Sequence, residues 1–189
     1  MIFADRNDNT GGGSPGDSTS MLQAFIEAGL EDACILYVVD PEAVAQCQIA
    51  GVGAKLPLEV GTKSTPLQGQ AVHMLAEVIA LSNGHFRYDG PMFSGLAGNM
   101  GLSAYIKQDG IHVLLVTQRE QPFDTTFSQI LGLDPRQMRY IGVKSTAHFR
   151  AGFESWAGAI CVVSEPSVHA TENLTFHRLG RKVYPFDDI

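Results

Sequence analysis

Cysteine, basic charge and long apolar runs are all scarce in this chain, and each scarcity removes a class of function. Three cysteines in 189 residues form no CxxC pair, so neither a disulfide framework nor a thiolate metal clasp is spelled out. HExxH is absent as well, and the six histidines lack ligand spacing. His73 and His85 are expected on opposite arms of a hairpin, His112 on the outer face of another strand, and His169 and His177 near the end of the chain. No metal ligand is assigned. No pair of carboxylates is placed for acid–base work, so no catalytic residue is assigned either. Thirteen Lys and Arg stand against twenty Asp and Glu, a formal net charge of −7. The basic residues are scattered, which argues against a nucleic-acid partner or an anionic membrane surface. No apolar stretch approaches the ~20 residues of a membrane span. The first residues lack a basic, apolar, small-residue leader, and the expectation is a cytoplasmic protein. Cys34 and Cys161 fall in apolar runs that read as buried strands, and Cys47 on a helix's apolar face; packing in a reducing compartment is their expected role.

What is present reads as one α/β domain over residues 1–189, a length suited to a single core. Ile2 to Ala4 is a strand, and Met21, Leu22, Phe25 and Ile26 make the apolar stripe of a helix that Gly29 stops. Ala33 to Val39 is continuously apolar, as in a strand covered on both faces. Asp40 and Pro41 then supply an N-cap and a first helical residue, with Gly51 closing that helix. A strand over 52–60 alternates apolar and polar residues, and Pro57 puts it near a sheet edge. Asn83-Gly84 signals a hairpin between strands 71–82 and 85–88, and Asp109-Gly110 a second between 102–108 and 111–117. A short helix capped by Asp124 presents Phe127, Ile130 and Leu131. The pattern continues with a strand over 139–144, a helix over 146–158 and a buried strand over 160–163. The fold class is therefore α/β: a single mixed sheet with helices packed against it and an inserted block of antiparallel hairpins.

Two polar constellations stand out. Asp8-Asn9-Thr10-Gly11-Gly12-Gly13-Ser14-Pro15-Gly16-Asp17 lies between the first strand and a helix that Asp17 or Ser18 can cap. Three successive glycines let backbone N–H groups approach a bound group closely, a ready cradle for an anion or carboxylate beside a helix N-terminus. The same run also serves as a tight turn that packs helix on sheet. Its spelling meets three motifs, and its chemistry argues against each. Gly11-x-Gly13-x-x-Gly16 matches a dinucleotide fingerprint, but Asp8 and Asp17 flank the pyrophosphate position. Gly11-x4-Gly16-Asp17-Ser18 puts an acid where a P-loop needs lysine. In Gly12-x-Ser14-x-Gly16 the oxyanion-hole donor would be Pro15, which has no N–H.

The second constellation is Lys144-Ser145-Thr146-Ala147-His148-Phe149-Arg150, where a strand hands over to a helix. Open α/β sheets bind ligands outside the carboxyl ends of their strands. Lys144, Ser145, His148 and Arg150 there can hold a carboxylate or phosphate. Equally, Lys144 and Arg150 can pair with Asp8 or Asp17 and fasten the two loops together. The candidate substrate- or anion-binding residues are thus Asp8, Asn9, Gly11, Gly12, Gly13, Asp17, Lys144, Ser145, His148 and Arg150.

These two runs and the closing Tyr184-Pro185-Phe186-Asp187, in order along nearly the whole chain, resemble the C-terminal domain of the microcystinase C (MlrC) family of metallopeptidases. Asp40-Pro41-Glu42-Ala43, Gly51-Val52-Gly53-Ala54, Asp89-Gly90-Pro91 and Gly132-Leu133-Asp134-Pro135 fit as intermediate landmarks. The resemblance implies zinc-dependent peptide-bond hydrolysis, microcystin degradation being the named activity. In the family a separate N-terminal domain carries the zinc ligands, and it has no counterpart here, so no cofactor is expected in this chain. The implied partner is that catalytic N-terminal domain, as a separate chain or lost, with a peptide or carboxylate as ligand. An exposed apolar or carbonyl-lined face is expected where it would sit. The alternative is a stand-alone small-anion or carboxylate binding module without catalysis.

Overall fold

The computed structural model describes residues 1–164, 167–169 and 180. The closing Tyr184-Pro185-Phe186-Asp187 and His177 lie outside the described residues.

Strand β1 (Ile2–Asp5) leads through the glycine loop to α1 (Ser20–Glu27), β2 (Ala33–Val39), α2 (Pro41–Ala50), β3 (Lys55–Val60) and β4 (Val72–Ser82). Next come β5 (His85–Arg87), β6 (Ala97–Asn99), β7 (Ser103–Gln108) and β8 (Ile111–Val116). The short α3 (Thr126–Gln129), β9 (Tyr140–Val143), α4 (Arg150–Phe153) and β10 (Ile160–Val163) complete the order. Eight strands form one sheet in the order β10-β1-β9-β2-β8-β7-β4-β3. The β10, β1, β9, β2 and β8 neighbours are parallel, and β8, β7, β4 and β3 antiparallel. The sheet is mixed, as its sequence implies.

Successive residues of a strand face opposite sides, and β2 shows this sorting. Ala33 and Ile35 join Met21, Leu22 and Phe25 of α1 and Ala43, Val44 and Cys47 of α2. Cys34 and Leu36 join Phe127 of α3 and Phe149 and Phe153 on the other side. The two cores therefore grip the parallel half from both faces, which fixes where its strand ends and their loops lie.

Four expectations change. Asn83-Gly84 does not close a hairpin, because β5 leaves the main sheet and pairs with β6 alone. Gly84, at φ +79°, lies so close to Gly101 that a β-carbon would meet its carbonyl oxygen at 1.9 Å, so the turn redirects the chain instead of reversing it. The helix over 146–158 shrinks to α4, four residues long. Gly152 presses on the neighbouring loop, where a β-carbon would meet the Phe123 carbonyl oxygen at 2.5 Å, and residues 146–149 form bends and a turn instead. Asp17 and Ser18 do not cap α1; Thr19 holds that position without a side-chain bond. Finally, Cys161 is exposed, not buried, because β10 is the last strand of the sheet beside β1. Pro57 does lie on an edge strand, β3.

Candidate functional site

The parallel strands β1, β9 and β2 all end on one side, and there the two polar constellations meet. The glycine loop is built around carboxylates. Asp5, at the end of β1, accepts through Oδ1 from the N–H groups of Asn7 (2.9 Å) and Asp8 (3.2 Å). Asp8 is fully buried and takes four donors: Gly16 N (2.8 Å), Gln68 Nε2 (2.8 Å), Ser18 N (2.9 Å) and Lys144 Nζ (2.7 Å). Lys144 is 4% exposed and also donates to the Ser18 carbonyl at 2.7 Å. The loop-fastening pair thus forms between Asp8 and Lys144, inside the protein. Arg150 takes no part in it and binds Glu154 at 2.6 Å on the surface.

Asn9 extends the junction. Its amide donates to Thr146 Oγ1 at 3.0 Å, and its Oδ1 accepts from Gly11 N at 3.1 Å. The next donors are also engaged: Gly12 N and Ser14 N reach the Asn9 carbonyl, and Gly13 N that of Thr10. With the N–H groups of Gly11 to Ser14 satisfied internally, the glycine run itself has few donors left for an anion. Arg119 approaches the loop from outside, 3.4 Å from the carbonyl oxygens of Gly13 and Ser14. Tyr37 rises from β2 beneath it, with its hydroxyl between Thr10 Oγ1 and the Glu120 carbonyl.

Asp17 turns away from the helix it was expected to cap. Its carboxylate gathers Lys63 N (2.9 Å), Ser64 N (2.8 Å) and Ser64 Oγ (2.9 Å). The Lys63 ammonium in turn pairs with Asp40 at 2.7 Å while Asp40 caps α2 through Ala43 N. Burial raises the Asp5 carboxyl above its usual range, partly offset by the Lys144 charge. Among the other candidates, Ser145 is buried and His148 is exposed, its ring 5.8 Å from that of Phe123.

The structure therefore joins Asp8, Asn9 and Lys144 with the glycine loop, sets Asp17 beside them, buries Ser145 with its hydroxyl unpartnered among the described residues, and leaves His148 and Arg150 outside the buried cluster. Sequence reasoning missed Asp5, Lys63, Gln68, Arg119 and Gln121. Asp5 had a signal, a carboxylate closing a buried strand at a loop's root; the rest arrive from distant segments with no spacing to betray them. Among the described residues no three His, Cys, Asp or Glu side chains gather as a metal would require. No described helix is long and apolar enough to cross a membrane.

The fold and this junction define an α/β domain built on a mixed eight-stranded sheet. A crystal structure of a protein described as a metallopeptidase, from Mesorhizobium sp. BNC1, superposes with a TM-score of 0.87 at 22% identity. All of this chain is covered in that comparison, and 38% of the other. Residues 3–178 match the family described as MlrC C-terminus, and the chain belongs to that family. It is 26% identical over 189 residues to Microcystinase C of Sphingomonas sp. It spans only 36% of that relative's length.

Proposed function

We propose that this chain is the accessory C-terminal part of an MlrC-like zinc metallopeptidase, packing on a separate catalytic domain and walling one side of its peptide-binding cleft. One observation carries the reading. The Asp8–Lys144 pair, buried at 2.7 Å, fixes the glycine loop to the end of β9, where Thr146 meets Asn9 and the next two residues, Ala147 and His148, are exposed. A rigid support that presents an exposed imidazole suits a wall that orients a substrate carbonyl or carboxylate. The family relationship supplies the reaction class, peptide-bond hydrolysis. In this reading the metal and the water it would activate are supplied by the partner domain, and the described residues show no gathered set of His, Cys, Asp and Glu.

The test is turnover of the enzyme reconstituted with its metal-bearing partner. His148→Ala is expected to lower kcat/KM with association and metal content unchanged; unaltered turnover would overturn the cleft role. The stand-alone anion or carboxylate module has weaker support. Lys144 is already paired with Asp8, and the N–H groups of Gly11 to Ser14 are engaged internally. Calorimetry of the chain against dicarboxylates and inorganic phosphate would revive that alternative if heat were released.

A further inference from the structure

Two of the three successive glycines are covered in the fold by side chains from elsewhere in the chain. A β-carbon on Gly11 would lie 1.0 Å from Nε2 of Gln121, and one on Gly12 would lie 2.4 Å from Cε1 of His169. Gly13, by contrast, has nothing within 4 Å. Glycine at the first two positions lets these long side chains lie directly on the backbone. Both are lightly fastened. Gln121 Nε2 donates to Asn9 Oδ1 at 3.4 Å, while Ser167, two residues before His169, shares a 2.8 Å hydrogen bond with the Ser14 hydroxyl. Each covering side chain also keeps a buried polar atom with no hydrogen-bond partner among the described residues: Oε1 of Gln121 and Nδ1 of His169. A polar atom buried without a partner is disfavoured relative to the same atom in water. The two side chains lying on the glycines are thus both penalised for lying there, and both regain hydration by leaving.

We propose that Gln121 and the Ser167–His169 segment form a shutter over the backbone of Gly11 and Gly12, closed in the free chain and displaced when an extended peptide backbone reaches the loop. The opening ligand rests on the cleft reading above; the shutter itself rests only on the packing. The glycine loop then has two states, and the peptide that displaces the shutter lies against the Gly11 and Gly12 backbone that the closed state covers.

Amide hydrogen exchange on the full chain tests it, read at Gly11, Gly12, Gly13 and Ser14, whose N–H groups all have internal acceptors. His169→Ala and Gln121→Ala are each expected to speed exchange there several-fold and leave β2 and β8 unchanged. Gly12→Ala, which leaves no room for the imidazole, should match His169→Ala, and the double variant should exceed neither. Unchanged exchange in His169→Ala, or fully additive effects in the double variant, would overturn the shutter. A blocked tri-alanine peptide should shift the His169 ring resonances. If it does not while His148→Ala still cuts turnover, the shutter fails and the cleft reading stands. If exchange behaves as expected but His148→Ala leaves turnover intact, only the cleft reading falls.

Discussion

At the carboxyl ends of β1, β2 and β9 the molecule keeps charge where water cannot reach it; at the β10 flank it offers apolar surface to water. Asp5, Asp8, Asp17, Asp40 and Lys144 are all at most 4% exposed. On one face of the flank Val162 is 54% exposed, and on the other, between α1 and the sheet edge, runs an apolar groove of about 560 Å³ lined by Phe3, Met21, Phe25, Leu30 and Val163. Stability alone favours the reverse arrangement, since burying ions costs solvation and exposing valine forgoes burial. The two inversions have different costs. The first is compensated internally, by donors placed around each carboxylate, so it specifies a geometry. The second has no compensation among the described residues, and it is where the larger partner of the cleft reading would find its footing.

The largest predicted effect separates the buried pair from its half-exposed counterpart. Lys144→Met removes the one ammonium on Asp8 among the described residues and leaves a fully buried carboxylate held only by the neutral donors of Gly16, Ser18 and Gln68; breaking such a pair costs about 3–5 kcal/mol. Lys63→Met touches a pair of the same 2.7 Å length, but Lys63 is 25% exposed and Asp40 keeps the N–H groups of Ala43 and Gly61. Its cost should be about 1–2 kcal/mol, that of a charge-assisted hydrogen bond partly replaced by water. Urea unfolding of both variants measures the gap. Equal losses would break the contrast between the sealed junction and its rim.

A second measurement sharpens the electrostatics inside that junction. The Asp5 carboxyl is raised above 3.8 mainly by burial, so the folded chain holds that proton more tightly than the unfolded chain. Its stabilising contribution is complete below 3.8 and is lost as pH rises through the elevated folded value. Asp5→Asn deletes the titration while keeping an oxygen for Asn7 N and Asp8 N. Parent stability minus variant stability should therefore decline with rising pH from 3.8 upward and then level off. A difference flat with pH would show that Lys144 cancels the burial cost in full.

Where local signals decided an element, the sequence was legible. The alternating and continuous apolar runs found β1, β2 and β8. Asp40-Pro41 and Gly51 bounded α2, Asp109-Gly110 turned β7 into β8, and Pro57 marked the β3 edge. Tertiary proximity decided the rest. Asn83-Gly84 is as good a hairpin signal as Asp109-Gly110, but close approach to Gly101 sends β5 into a separate sheet. Cys161 lies in a run as apolar as β2, and nothing local says that one strand is central and the other terminal. In the site, Asp8 and Lys144 were legible as partners because both stand in loops at parallel strand ends. The Gln121 and His169 contacts were not, since seating a side chain on a glycine depends on segments more than a hundred residues apart. The glycines themselves were the sole trace.

The smallest expected effect falls on the apolar flank. Val162 pairs in register with Ala4 on the sheet's terminal strand, and its side chain is more than half in water. Little burial is lost if it changes, and lysine is what edge strands commonly carry against unwanted pairing. Val162→Lys should therefore leave the unfolding free energy of the chain within about 0.5 kcal/mol of the parent. The same substitution places an ammonium at an exposed position of the terminal strand, where a docked domain would have to desolvate it. Association with a metal-bearing partner, followed by light scattering, should weaken while Lys144→Met, assayed below its unfolding range, leaves association intact. Should Val162→Lys destabilise the isolated chain as much as Lys63→Met, the flank would be part of the core, and its exposed valine would need no second protein to explain it.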